Sequence, residues 1–151
     1  MTFLLSTRSR SKLQRVDEDL VNTVKTAIGI TTVDFGVICG LRTQEEQKAL
    51  VAKGASKTFK SKHLEGKAVD LMAYIKGRAC WELNVYDEIA EAMKLAAIDT
   101  GTSIRWGAAW NIPDITLWES SMEDAMNHYI DERRNQGRRP FIDGPHFELS
   151  V

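Results

Sequence analysis

The chain has 151 residues, with 43% hydrophobic and 27% charged residues and a formal net charge of −1. That length and balance describe one soluble globular domain, able to bury a core without disulfides or a structural metal. They exclude a global basic field for nucleic-acid binding, and no stretch approaches the roughly 18 apolar residues of a membrane span.

The opening Met-Thr-Phe-Leu-Leu-Ser is apolar too briefly for a signal-peptide core. The chain is therefore expected to stay in the cytoplasm unless another agent releases it. Residues 6 to 15 are polar around one apolar anchor, Leu13, and read as a lead-in turn. Val16, Leu20, Val21, Val24, Ala27 and Ile28 have helical spacing, so a helix is predicted from Asp17 to about Ile28, with Gly29 as its stop. Asp34 to Gly40 is rich in strand formers. Thr43-Gln-Glu-Glu46 is a capping box that starts a helix to about Lys53. Residues 54 to 66 lack periodicity and read as a loop. Ala68 to Tyr74 is a predicted strand.

Tyr86, Ile89, Ala90, Met93 and Ala97 form one stripe of a helix from Leu83 to about Ile98, closed by Gly101. Ser103 to Trp106 is a short strand, and 107 to 117 are irregular. Trp118, Met122, Ala125, Met126 and Tyr129 predict a helix from about Trp118 to Arg134, with Ser121 and Asp124 resembling a cap. His146 to Ser150 alternates and reads as the last strand. Short strands interleaved irregularly with helices give an α+β class: a small, mainly antiparallel sheet with helices packed on one face.

The chemistry gathers in two blocks. Only three histidines occur. His63 precedes Asp70 by seven residues, and Asp143 precedes His146 by three. Alternation puts Val69 and Leu71 toward the helices and Asp70 on the opposite face. In the last strand Phe147 and Leu149 face the helices, which leaves His146 opposite. If the strands are neighbours, Asp70 and His146 share one face, and His63 enters from the preceding loop. Two imidazoles and a carboxylate leave one position of a tetrahedral metal open, the catalytic pattern. Asp143, on a Gly-Pro turn, is placed to move a proton. Taken singly, each of these residues is compatible with an ordinary satisfied polar group; together they are not easily accidental. Glu148 shares the face of His146, and His128 reads as a surface residue of its helix. Cys39 and Cys80 lie outside any C-x-x-C pair and read as buried free thiols. Neither is near a histidine in sequence.

Five lysines (53, 57, 60, 62, 67) surround His63 with one acid, Glu65, and a second basic cluster is Arg133, Arg134, Arg138 and Arg139. They are either solvated ends or a rim that attracts an anionic substrate.

Ser61-x-His63-x-x-Gly66-x-Ala68-x-Asp70 followed by Asp143-x-x-His146 resembles the zinc-dependent D-alanyl-D-alanine carboxypeptidase/VanY-type peptidases. Within them the chain is most similar to the phage L-alanyl-D-glutamate endopeptidase endolysins. Ser9, Leu13 and Val16, Gly40-Leu-Arg42-Thr43 with Glu46-Gln47, and Ile104-Arg-Trp106-Gly107 extend the likeness over most of the chain. The resemblance implies a Hedgehog/D-Ala-D-Ala peptidase-like fold and Zn2+ held by His63, Asp70 and His146. It implies Asp143 as base, Arg42 as the group that steadies the oxyanion, and Gln47 and Trp106 as cleft-lining positions. Ser61 would touch substrate or a metal ligand. The base is aspartate where the dipeptidase and carboxypeptidase branches use glutamate, and residues 108 to 140 are longer than in compact members. The implied protein is one catalytic domain without a separate wall-binding domain. It would be a monomeric endolysin cutting the L-Ala–D-Glu bond of peptidoglycan stem peptides after a holin opens the membrane. A D-Ala-D-Ala carboxypeptidase and a catalytically silent wall-binding module are the alternatives.

Overall fold

The computed structural model describes residues 2–56 and 60–150. Its elements run in the order α1 (Thr7–Lys12), α2 (Glu18–Ile30), β1 (Asp34–Cys39), α3 (Gln44–Ala52), a 3-10 turn (Lys62–Glu65), β2 (Ala68–Ile75) and β3 (Arg78–Cys80). Next come α4 (Leu83–Thr100), β4 (Ile104–Trp106), a second 3-10 turn (Ile115–Leu117), α5 (Met122–Asn135) and β5 (His146–Leu149).

Strand pairing follows β1-β2-β5-β4, with β3 also on β2, and every pairing is antiparallel. β5 and β3 share one edge of β2: Ala68–Asp70 pair with β5 and Ala73–Ile75 with β3. The expected α+β class is what is found. Val69, Leu71 and Ala73 are fully buried and join Phe147, Ile104 and Trp106 in a core closed by α2 and α4. On the other face of β2, Asp70, Met72 and Tyr74 are only half-buried. Two-residue alternation is therefore what separates core from site.

The helix caps follow the local sequence. The Thr43 hydroxyl accepts from Glu46 N and the Glu46 carboxylate accepts from Thr43 N, a complete capping box. Ser121 Oγ accepts from Asp124 N and starts α5. The predicted start at Trp118 is thus corrected: the cap places Trp118 before the helix, with its indole N–H donating to the Ser121 carbonyl. Residues 7–12 are a helix rather than a turn, capped by Ser6. It packs on edge strand β1, where buried Ser9 Oγ accepts from Val37 N at 2.9 Å. Gly29 does not stop α2, which continues to Ile30. β3 and both 3-10 turns were not expected.

No helix among the described residues is long and apolar enough to cross a membrane.

Candidate active site

Three local devices bring the site together. First, Ser61 caps the 3-10 turn by accepting from His63 N, and Gly66 closes it in the left-handed region at φ +68°. A side chain at Gly66 would also meet the Arg15 carbonyl at 2.5 Å, so this turn requires glycine. Second, β2 and β5 pair with Asp70 directly opposite His146. Third, the turn bearing Asp143 is locked to β4: Asp143 N donates to Gly107 O and Gly107 N to His146 O, each at 2.8 Å. A Cβ on Gly107 would lie 2.2 Å from the Asp143 carbonyl oxygen.

Asp70 is the centre. Its Oδ1 lies 3.2 Å from His146 Nδ1, and its Oδ2 lies 3.3 Å from His63 Nε2 and 3.6 Å from Arg42 Nη2. The two imidazoles are edge to face, 5.1 Å between centroids. His63 Nδ1 sits 2.9 Å from the Gly40 carbonyl, which fixes that ring. His146 Nε2 sits 2.8 Å from Glu148 Oε1, and Glu148 Oε2 pairs with Lys62 Nζ at 3.1 Å. A ring nitrogen held by a carboxylate or carbonyl leaves the other nitrogen oriented for a ligand.

The charges are strongly coupled. Burial alone would lower His63, but Asp70 and Cys39 outweigh it and hold the imidazole up at about 10. Burial is likewise outweighed at His146, where Asp70 and Glu148 raise the ring to about 9. Asp70 is held well below the usual carboxylate range, because the two histidines outweigh its burial. Asp143 is pushed up by burial and by the Asp70 charge.

A metal ion fits this donor set. His63 Nε2 is buried and has no hydrogen-bond partner, although Asp70 is at ion-pair distance. Donor atoms of Asp70, Asp143 and His146 lie within 4.8 Å of one another, as do those of Cys39, His63 and Asp70. Asp70 belongs to both groups.

A cleft of about 1140 Å³ opens over the cluster. His63, Asp70, Asp143, His146, Arg42 and Ser61 all line it. Two expected cleft residues do not. Trp106 is fully buried on the apolar side, stacked on Phe147, because its strand position pairs with Phe147. Its indole N–H donates to the Gly144 carbonyl at 2.8 Å and supports the Asp143 turn from beneath. Gln47 is also fully buried and lies behind Arg42, accepting from Arg42 Nη1 at 2.7 Å. Lys60, Lys62 and Arg133 line the cleft, so part of each basic cluster is rim; Lys57 lies outside the described residues. His128 is exposed on α5, as expected.

Cys39 and Trp110 were missed. Cys39 is half-buried rather than buried, opposite Asp70 in the β1–β2 register. Its Sγ lies 3.7 Å from His63 Nδ1 and accepts from Arg42 Nη2 at 3.4 Å. A strand register between residues more than thirty apart leaves no local sequence sign. The Trp110 ring lies 5.3 Å from that of His146. Its place in an irregular segment gave no face to assign.

Two imidazoles converging on one carboxylate, with the half-buried Asp143 beside them on a cleft floor, is the arrangement of a metal-binding hydrolase. The chain belongs to the phage L-alanyl-D-glutamate peptidase family, whose profile matches residues 1–150. It is 29% identical over 153 residues to the L-alanyl-D-glutamate peptidase of Escherichia phage T5, covering 99% of each. It is also similar to the solved structure of the Serratia marcescens L-Ala D-Glu endopeptidase ChiX. That likeness has 31% identity and a TM-score of 0.71, over 97% of this chain and 90% of that one.

Proposed function

We propose that this protein is a zinc-dependent endopeptidase that hydrolyses the L-Ala–D-Glu bond of peptidoglycan stem peptides. The observation that carries the reading is the convergence of His63 and His146 on the two oxygens of Asp70 at the cleft floor. The family and its two named relatives supply the bond.

His63, Asp70 and His146 would hold the ion. When bound, zinc supplies Lewis-acid polarisation of the scissile carbonyl and lowers the pKa of the attacking water. Glu148 keeps the His146 ring turned so that Nδ1 faces Asp70. Asp143 takes a proton from the water and hands it to the leaving amine. Burial and the Asp70 charge raise its carboxyl, which suits a group that must hold a proton between two steps. Arg42, braced by Gln47, presents its guanidinium to the developing oxyanion. Lys60, Lys62 and Arg133 draw the anionic stem peptide toward the cleft.

Residues 1–151 act as one catalytic domain, as a monomer. The protein accumulates in the host cytoplasm and reaches the wall once a holin permeabilises the membrane, causing lysis. Ser61 contributes a substrate contact at the cleft edge.

Digestion of purified peptidoglycan, followed by mass spectrometry of the new termini, tests the reaction. Stems beginning with D-Glu, absent after chelation, are expected. Released D-alanine would assign a carboxypeptidase instead, and intact wall with protein bound would assign a binding module.

A further inference from the structure

Past the metal-binding cluster the cleft continues into a recess of about 330 Å³, and Arg105, Trp110, Arg133 and Phe141 line both spaces. Trp110 is the shared wall. Its ring is 5.3 Å from the His146 ring, 5.4 Å from the Arg105 guanidinium carbon, and stacks on Phe141 at 6.3 Å. The recess therefore begins one aromatic ring away from a proposed zinc ligand.

Two donors here are buried without an acceptor: Trp110 Nε1 and Arg133 Nε. Buried N–H groups are rarely left unpaired, and those that are mark a place for a missing acceptor. The charges agree. Among the described residues neither Arg105 nor Arg133 forms an ion pair with a carboxylate. Arg105 donates to the Trp110 carbonyl, and Arg133 Nη2 to the Arg139 carbonyl at 3.4 Å. The acids nearby are engaged elsewhere. Glu132 accepts from Asn111 at 2.8 Å, and Glu148, opposite Arg105 in the β4–β5 register, is held by Lys62 and His146.

A glutamyl residue has two carboxyl groups, and only one can continue a linear chain. The other remains a free carboxylate a few bonds from the scissile nitrogen. A peptidase cutting L-Ala–D-Glu has to receive that anion close to its acidic cluster, where Arg42, Lys62 and a bound zinc already have carboxylate partners, so it needs further cations and donors.

Resting on the reaction proposed above, we propose that Arg133 and Trp110, backed by the Arg105 charge, form a subsite for the free carboxylate of the D-glutamyl residue. Arg133 Nε and Trp110 Nε1 donate to its oxygens. The segment 108–140, longer than in compact members, thus contributes to specificity through Trp110 and Arg133. A peptide with a neutral carboxamide at this position cannot make the charge-assisted hydrogen bonds.

The test uses two synthetic stem peptides that differ only in whether the D-glutamyl carboxyl that does not continue the chain is a carboxylate or a carboxamide. The wild-type protein is expected to prefer the carboxylate in kcat/KM by roughly ten- to hundredfold, the range for a hydrogen-bonded charge. Arg133→Gln should reduce that preference to within about threefold. Trp110→Phe, which keeps the ring and removes the N–H, should reduce it by an intermediate amount. Equal cleavage of both peptides by wild type overturns the subsite, and so does a wild-type preference retained in folded Arg133→Gln and Trp110→Phe. If neither peptide is cut, the proposed reaction fails, and calorimetric binding of the same two peptides still decides the subsite. A carboxylate preference that Arg133→Gln abolishes supports it, and equal binding overturns it.

Discussion

Replacing Glu148 by alanine is expected to weaken zinc binding without unfolding the protein. Glu148 is 7% exposed, and its Oε1 lies 2.8 Å from His146 Nε2. It is the group that turns His146 Nδ1 toward Asp70. A buried charge-assisted hydrogen bond contributes about 1.5–3 kcal/mol. Removing the outer partner of a metal-ligating histidine costs roughly ten- to hundredfold in affinity. Those ranges agree, since each tenfold step is about 1.4 kcal/mol. Lys62 loses its partner at 3.1 Å but keeps the Leu149 carbonyl at 2.5 Å, so the strand end is not left uncompensated. Glu148→Gln should lose less than Glu148→Ala, because its carbonyl oxygen still accepts from Nε2–H without the charge. Competition for zinc against a fluorescent chelator measures the effect, with a melting curve of the metal-free protein as control. A zinc affinity within twofold of wild type in a folded Glu148→Ala protein would refute the reasoning.

Asp143→Asn removes the proton acceptor but none of the three proposed ligands, so kcat should fall by roughly 10²- to 10⁴-fold while bound zinc, measured by atomic emission, stays at one per chain. Gly107→Ala forces a Cβ to within 2.2 Å of the Asp143 carbonyl and 2.9 Å of His146 Cβ. Overpacking of this kind costs about 1–3 kcal/mol, and a calorimetric Tm should fall by roughly 2–4 °C for each kcal/mol. In the metal-free protein the folded-state values of His63 and His146, about 10 and about 9, lie above the ordinary imidazole value. Their contribution to stability is therefore complete below about pH 6.5 and is lost as pH rises through 9 and 10. Asp70 is depressed, so its contribution is present above about pH 4 and is lost as pH falls. The urea midpoint of metal-free protein should accordingly decline between pH 7 and pH 10, and a flat profile would contradict the coupling. Zinc needs neutral imidazoles, so calorimetry in buffers of different ionisation heat should show release of about two protons per ion near pH 7.

The parts of the site that were legible in the sequence are those that local rules control. Alternation in β2 and β5 separated Val69, Leu71 and Phe147 from Asp70 and His146, and the structure keeps that division. The Thr43 capping box fixed α3 to within a residue. What alternation cannot give is register between strands distant in the chain, and register is what sets Cys39 opposite Asp70 and Trp106 opposite Phe147. A tryptophan beside a glycine has no sequence mark to say whether it faces cleft or core. Gln47 failed for a similar reason: the helix face it occupies turns toward Arg42 rather than toward solvent. Arg42 itself came through the family resemblance, since nothing in its spacing relates it to Asp70, nearly thirty residues further along the chain. Ser6 and Ser121 both act as N-caps, but only Ser121 precedes a stripe long enough to read.

The central claim is that one zinc ion is held by His63, Asp70 and His146 together. A zinc-soaked crystal with anomalous data collected on both sides of the zinc edge tests it directly. The account predicts one full anomalous peak in contact with His63 Nε2, an Asp70 oxygen and His146 Nδ1, with Asp143 near it but not bound. A peak bound by Cys39, His63 and Asp70 without His146, or by Asp70, Asp143 and His146 without His63, would contradict it.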